Sequence, residues 1–217
     1  MEIRHRVPYF SQFASPDLVT AFVEDTTPAK DDPRWAESGA DTPEEYAYWA
    51  WRGCGIACLR MVLAARGETP PPAVPLAREC LRHGGYVRRG DQLLGLIYTP
   101  FTAWIEPAFG LKSQVRTELL VDQLAAEART GLVMASVHPW LRWPERAPPH
   151  RGGHLVLVTG AGDDYLLVHN PSGLPGQTQE YARLPVATFA RYYAGRGIVF
   201  SRVGSRSAAE QGWDLGE

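Results

Sequence analysis

Cys54 is the residue of this chain best suited to nucleophilic chemistry. It lies between two glycines and opens the run 54–65, in which Arg60 is the only polar residue. A helix that is apolar around its whole circumference belongs inside a domain. Free N–H groups and the positive end of the dipole at a helix start favour a thiolate over a thiol. We therefore predict that Cys54 is a reactive thiolate. Gly53 and Gly55 would let a substrate approach its sulfur.

A base and an orienting group for such a thiol occur later in the chain. Residues 154–160 are aliphatic, β-branched and bounded by glycines, which predicts a buried strand. A turn follows, and residues 165–170 are typical of the returning strand. This hairpin would bring His154 close to Asn170, whose amide can orient the imidazole. A thiol, a histidine and an orienting group recur as a nucleophilic constellation on unrelated folds.

Three short motifs follow one another along the chain. They are Val7-Pro8-Tyr9-Phe10-Ser11-Gln12, Gly53-Cys54-Gly55, and Gly153 to Gly160 followed by His169-Asn170-Pro171. In this order they resemble the papain-fold cysteine peptidases related to the bacteriocin-processing, double-glycine-leader peptidases, and more narrowly their stand-alone bacterial relatives. The resemblance covers residues 5–203. It implies Cys54 as the nucleophile, His154 as the general base and Asn170 as its orienter. It also implies Gln12 as the side-chain donor of an oxyanion hole.

The sequence departs from the family pattern in three places. Ile56 stands where the family usually has proline, and Asn170 stands where it more often has aspartate. The spacing from Gln12 to Cys54 is longer than in the family. The additional residues, 20–50, carry eight acidic side chains and are interrupted by prolines, so we predict an acidic insertion that is mostly loop.

The order of predicted elements indicates an α+β fold in a single papain-like domain, residues 1–203, with the Cys54 helix packed on an antiparallel sheet. Residues 204–217 lack apolar periodicity and are predicted to be a loosely ordered tail. The predicted helices are 54–66, 75–82, one that opens at Thr99 as N-cap and ends near 110, 119–129 and 186–193. The predicted strands are 112–117, 132–137, 154–160, 165–170 and 197–203.

Composition limits the classes of function. The chain has 217 residues, 45% of them hydrophobic and 21% charged, and its net charge of −2 gives no reason to expect nucleic-acid or membrane partners. Three cysteines form no even disulfide set, and no apolar signal segment opens the chain, so we expect a cytoplasmic protein. A metal site at Cys54 and Cys58 would need two further ligands at zinc-like spacing. We expect neither a metal nor a cofactor.

The segment between His138 and Gly152 is predicted to contact the substrate, because it is aromatic, rich in proline and leads directly to Gly153 and His154. Trp140 and Trp143 would be its main contacts, with Gly153 beside them. The alternative is that the two tryptophans only cover the core, and the sequence does not decide between these interpretations.

The function that best fits these residues is hydrolysis of a peptide or amide bond through an acyl-enzyme. Acyl transfer to an amine needs the same residues, and a non-catalytic peptide-binding module can share the fold. Cys54 could also be an inert buried thiol, and Cys58 and Cys80 are expected to be packed small residues. The natural substrate and the oligomeric state remain open.

Overall fold

The computed structural model describes residues 1–90 and 92–200 of the chain. Helices and strands are interspersed along this part of the sequence. The helices are α1 (Val19–Val23), α2 (Pro43–Ala50), α3 (Cys54–Ala65), α4 (Ala73–Arg82), α5 (Tyr98–Phe109), α6 (Val121–Thr130) and α7 (Val186–Tyr192). The strands are β1 (Ile3–Arg4), β2 (Val87–Arg89), β3 (Gln92–Leu94), β4 (Ser113–Arg116), β5 (Leu132–Val137), β6 (His154–Ala161), β7 (Tyr165–His169), β8 (Ala182–Pro185) and β9 (Tyr193–Phe200).

One antiparallel sheet of seven strands organises the molecule. Its order is β4-β9-β5-β6-β7-β8, and β1 pairs with the end of β6. Val137 of β5 lies opposite His154, and Leu157 lies opposite His169 of β7. Because β6 is paired on both sides, its first residue is held in the interior instead of at a free edge. The hairpin of β2 and β3 forms a separate small sheet.

Helix α3 is the centre of the larger hydrophobic core. Its side chains are buried around most of the circumference, as its all-apolar sequence requires, and it packs against β6, β5 and α4. Arg60, its one charged residue, is half-buried and donates from Nε to the carbonyl of Pro71. Helices α6 and α7 pack on a second core that contains residues of β5, β6 and β7. The start of α3 and the start of β6 are therefore held against each other by the core.

The structure confirms the α+β fold and the predicted central helix, and β5, β6 and β7 follow the expected pattern. Two boundaries differ most from the prediction: β9 begins at Tyr193 instead of residue 197, and Ile97, not Thr99, is the N-cap of α5. Thr99 and Pro100 instead occupy its first turn, where the missing N–H of proline costs no helical hydrogen bond. The closing strand reaches Phe200 in the described part. The predicted residues 201–203 and the tail 204–217 lie outside the described residues.

The segment 20–50 contains more regular structure than expected. Thr42 caps helix α2 by accepting the N–H of Glu45 at 3.1 Å, and Pro43 takes the first helical position. Proline is favoured there, so a residue expected to interrupt the segment instead begins a helix. Asp32 is buried and accepts hydrogen bonds from the hydroxyls of Ser15 and Tyr46. Part of the acidic character of the segment is thus structural.

No helix in the described part of the chain is both long and apolar enough to cross a membrane.

Candidate active site

Cys54 begins helix α3, with Gly53 as N-cap, and is partly exposed to a cavity of about 690 Å³. Gln12, Tyr86 and His154 line the same cavity. The backbone N–H of Leu155, the residue after His154, donates a hydrogen bond to the sulfur of Cys54. The candidate nucleophile and the candidate base therefore meet where the start of α3 packs on the start of β6.

His154 is buried at the start of β6, and its tautomer follows from its neighbours. Its Nε2 lies 2.9 Å from Oδ1 of Asn170, and the N–H of Ser172 donates to the same oxygen at 3.2 Å. That second bond requires an oxygen at this position, so the amide orientation of Asn170 is defined. Nε2 of His154 then carries the proton and donates it. Nδ1 is left with its lone pair as the free nitrogen of the ring.

The protein keeps His154 neutral. Burial lowers the pKa of its imidazole to about 3, and the positive charge of Arg142 acts in the same direction. The hydrogen bond that His154 donates to Asn170 opposes this shift and does not overcome it. At neutral pH the ring is therefore an acceptor, which is the form that a general base needs.

The thiol of Cys54 differs from the expected thiolate. Burial raises its pKa, while hydrogen bonds from the backbone N–H groups of Leu155, Gly55 and Cys54 itself lower it by a smaller amount. The positive charge of Arg142 also lowers the pKa. The helix start does help the anion, as the sequence indicated, but the loss of water around the sulfur outweighs it. The resting pair is thus a thiol beside a neutral imidazole.

Gln12 lines the wall of the cavity. Its backbone N–H donates to the carbonyl of Pro171 at 2.9 Å, and its Nε2 donates to the carbonyl of Ala50 at 2.8 Å. Two neighbours hold the same segment to the turn after β7: Tyr9 donates to the carbonyl of Asn170, and Ser11 donates to that of Pro171. A primary amide has two N–H groups. One remains available on Gln12.

Two residues that the sequence did not identify as site residues join this group. Arg142 is buried, lines the cavity and donates from Nη2 to the Ser172 hydroxyl at 2.8 Å. That hydroxyl lies 3.3 Å from Nε2 of His154. The signal for Ser172 was its place two residues after Asn170, where an asparagine side chain commonly binds the backbone N–H. Arg142 gave only the weaker signal of a charge in an aromatic loop.

His138, at the start of the loop between β5 and β6, is buried, and its Nδ1 accepts the N–H of Trp140. It caps the short 3-10 helix Pro139–Arg142 that carries Arg142 into the cavity. His138 thus shapes the loop without facing the thiol.

The predicted substrate contacts fall into two groups. Trp140, Trp143 and Gly153 line the cavity. Gly53 and Gly55 instead face protein: a Cβ on Gly53 would lie 3.0 Å from the Trp49 carbonyl oxygen, and one on Gly55 would lie 3.0 Å from a Leu96 methyl group. Their lack of a side chain lets the start of α3 pack closely. A substrate-contacting role for these two glycines has no support in this geometry.

Cys58 and Cys80 are free and completely buried. Within residues 1–90 and 92–200, no three His, Cys, Asp or Glu side chains converge in a group that could hold a metal ion.

No protein-family model matches the sequence, and no curated protein sequence matches it. Solved structures do match. One is a C39-like peptidase, so named, from Bacillus anthracis, with a TM-score of 0.55 and 14% identity over 93% of this chain and 98% of that one. Another is a double glycine motif protease from an AMS/PCAT transporter, solved with its leader peptide. It has a TM-score of 0.50 and 15% identity over 93% of this chain and 99% of that one. The chain therefore has a fold similar to that of the C39 papain-like peptidases.

Proposed function

We propose that this chain is a cysteine peptidase that cleaves a peptide or amide bond through an acyl-enzyme. One observation carries the proposal. The Nε2–H of His154 donates to Asn170, which leaves Nδ1 as the acceptor nitrogen of a ring that lines the same cavity as Cys54. A peptide substrate is further supported by the similar protease that was solved with its leader peptide.

In the first step, the sulfur of Cys54 attacks the carbonyl carbon of the substrate while its proton passes to Nδ1 of His154. The imidazolium that forms keeps its Nε2–H on Asn170, so the ring does not rotate away. Because Asn170 is neutral, it orients the ring without adding a charge that would favour imidazolium in the resting state. This agrees with the low pKa of His154.

Negative charge then develops on the carbonyl oxygen and must be matched by fixed donors. The backbone N–H of Cys54 is one candidate, because the first N–H groups of a helix have no partner within it. The second N–H of the Gln12 amide is the other. Its position is fixed by the hydrogen bonds of Gln12 to Ala50 and Pro171.

When the tetrahedral intermediate collapses, the carbon–nitrogen bond breaks and His154 returns its proton to the leaving amine. A water molecule then attacks the thioester, His154 takes a proton from it, and the acid leaves as the Cys54 thiol forms again. An amine in place of that water gives acyl transfer with the same residues.

A panel of peptides, analysed by mass spectrometry with and without an added amine, tests the proposal. We expect cleavage products from the wild-type chain and from Cys80→Ala, and none from Cys54→Ala. Cys80 is the matched control because it is a free cysteine buried away from the cavity. Products from Cys54→Ala at the wild-type rate would refute the proposed nucleophile. Acyl products carrying the added amine would reassign the reaction to transfer, and binding without any turnover would favour a peptide-binding module.

A further inference from the structure

The cavity beside Cys54 carries a charge opposite to that of the whole chain. Arg52, Arg142 and Arg196 line it, and its described lining includes no aspartate or glutamate. Over the full sequence the net charge is −2. Acidic residues of the segment 20–50 are engaged elsewhere, as in the pairing of Asp41 with Arg78 at 2.7 Å. The positive lining is therefore a local feature of the cleft.

Arg142 is the most informative of the three arginines. It is only 8% exposed, and no carboxylate in the described part of the chain forms an ion pair with it. Burial lowers the pKa of its guanidinium to about 10, so the group remains charged at neutral pH. A buried charge without a counter-ion is costly for a fold. A protein that keeps one next to a reactive thiol has a reason other than stability.

The geometry of Arg142 leaves donors available. Its Nε donates to the carbonyl of Pro139 at 3.0 Å, and its Nη2 donates to Ser172 at 2.8 Å. A guanidinium has five N–H groups, and these two bonds use two of them. The planar group is thus fixed in orientation while other N–H groups remain for a molecule in the cavity. Such a preorganised fork matches the two oxygens of a carboxylate.

Among the described residues, the other two arginines likewise have no acidic partner in an ion pair. Arg52 lies over the ring of Tyr48, 4.1 Å from its centre, and donates to the carbonyl of that residue at 2.8 Å. Arg196 forms a hydrogen bond with the hydroxyl of Tyr98, a further residue of the cavity lining. Aromatic neighbours orient both guanidinium groups and leave their charge uncompensated.

We propose, as an extension of the proposed peptidase function, that the cleft selects substrates with a carboxylate close to the bond that Cys54 attacks, and that Arg142 binds this carboxylate. The carboxylate can belong to an acidic side chain or to the free carboxyl end of a peptide. Arg52 and Arg196 would add attraction for the same anionic group from the cavity wall.

Two alkylating reagents that differ mainly in charge test this without a known substrate. Iodoacetate carries a carboxylate, and iodoacetamide is its neutral counterpart. The rate of Cys54 alkylation by each is measured at pH 8.5 and divided by its rate with a small free thiol. We expect this normalised ratio to favour iodoacetate by about tenfold at low ionic strength, and to fall as salt screens the charges. Equal normalised rates for the two reagents would overturn the proposal.

Variants of Arg142 and Arg196 show which residue causes the preference for iodoacetate. Arg142→Gln should lower the normalised ratio about tenfold, Arg196→Gln should lower it less, and Arg142→Lys should restore part of it. Arg183→Gln is the matched control: it removes one positive charge at an exposed ion pair with Glu2 and should not change the ratio.

Because both reagents react with the same thiol, a general change in the reactivity of Cys54 cancels in the ratio. A folded Arg142→Gln with the wild-type ratio, or an equal fall in Arg183→Gln, would refute the role of Arg142. If Arg142→Gln does not fold, Arg142→Lys takes its place, and a wild-type ratio in that folded variant would refute the role of the Arg142 guanidinium.

Pairs of peptides then distinguish an acidic side chain from a free carboxyl end as the source of the carboxylate. They also test the carboxylate selection separately from the peptidase activity. For a peptide that is cleaved, glutamate is compared with glutamine near the cleaved bond, and a free carboxyl end is compared with its amide. We expect kcat/KM to be at least tenfold higher for one acidic member, and Arg142→Gln to abolish that preference. Cys54-dependent cleavage without any preference would overturn the carboxylate selection and leave the peptidase proposal intact. The alkylation ratio, in turn, does not depend on turnover.

Discussion

Two buried histidines, His154 and His169, lie on the paired strands β6 and β7 and have different surroundings. His169 uses both ring nitrogens: Nε2 lies 3.0 Å from the carbonyl oxygen of Val7, and Nδ1 accepts the N–H of Tyr181 at 3.0 Å. His154 uses Nε2, with Asn170, and leaves Nδ1 without a hydrogen bond in the described structure. The free nitrogen distinguishes a histidine that can do chemistry from one that holds the fold together.

The pKa values of the two rings do not make this distinction. Burial lowers the pKa of His154 to about 3 and that of His169 to about 4. A strongly shifted pKa can mark a functional site, but structural burial produces the same shift. The hydrogen-bond partners of each ring nitrogen distinguish the two histidines better than their pKa values do.

The largest expected effect comes from exchanging each histidine for glutamine. His154→Gln should fold and lose activity on a cleaved peptide by about 10⁴ in kcat, because the proton acceptor is gone. His169→Gln should keep most activity and lose about 1–3 kcal/mol of unfolding free energy, because a buried hydrogen bond is lost. Steady-state kinetics and urea titrations measure both. A folded His169→Gln without activity beside an active His154→Gln would reverse the comparison.

A smaller effect is expected from substituting Gln12. This residue ends the segment 7–12, which contacts His169 at its start and reaches the cavity of His154 at its end. Val7, at the start of that segment, binds His169, whereas Gln12 faces the cavity of His154. Gln12→Ala should lower kcat by about 10²–10³, because one oxyanion donor is lost. Its Cys54 should still react with iodoacetamide. Ser11→Ala, which loses the hydrogen bonds of Ser11 to Pro171 and Phe13 but keeps the Gln12 amide, is the control. Wild-type turnover in Gln12→Ala would show that this amide does not act in catalysis.

The smallest expected effect is a loss of stability at acidic pH, to which the two histidines contribute about equally. Their pKa values are lower in the folded chain than in the unfolded chain, so below about pH 6.5 the unfolded chain binds more protons. Stability should therefore fall as the pH decreases from about 6.5 towards 4. At pH 5 each ring should contribute about 2 kcal/mol of this loss. Urea titrations at pH 7 and pH 5 measure it, and His169→Gln should show roughly half of the histidine contribution. An identical loss in that variant would contradict the assignment.

Local sequence signals predicted much of this site. The all-apolar run after Gly53 predicts a buried helix by its own composition, and the turn before Tyr165 determines that β6 and β7 pair. The pairing brings Asn170 within two positions of His154, because short hairpins leave few possible registers. Helix α2 also has a local signal, because a threonine cap followed by Pro43 is typical of a helix start.

Other features had no local signal. Arg142 enters the cavity because Pro139 and His138 shape a short helical turn and Ser172 receives one end of its guanidinium. Ser172 lies 30 residues beyond Arg142, so no short window of sequence contains the whole arrangement. The same holds for Gly55, whose close neighbours are Leu96 and Leu155.

The sequence by itself determined which residues could act as nucleophile, base, orienter and oxyanion donor, and which elements carry them. Only the tertiary structure decided their charge states and surroundings: a neutral His154, a Cys54 thiol instead of a thiolate, and an unpaired Arg142 beside them. The physical reason is that helix starts and turns follow from neighbouring residues. Desolvation and charge pairing depend on every segment that packs around a group.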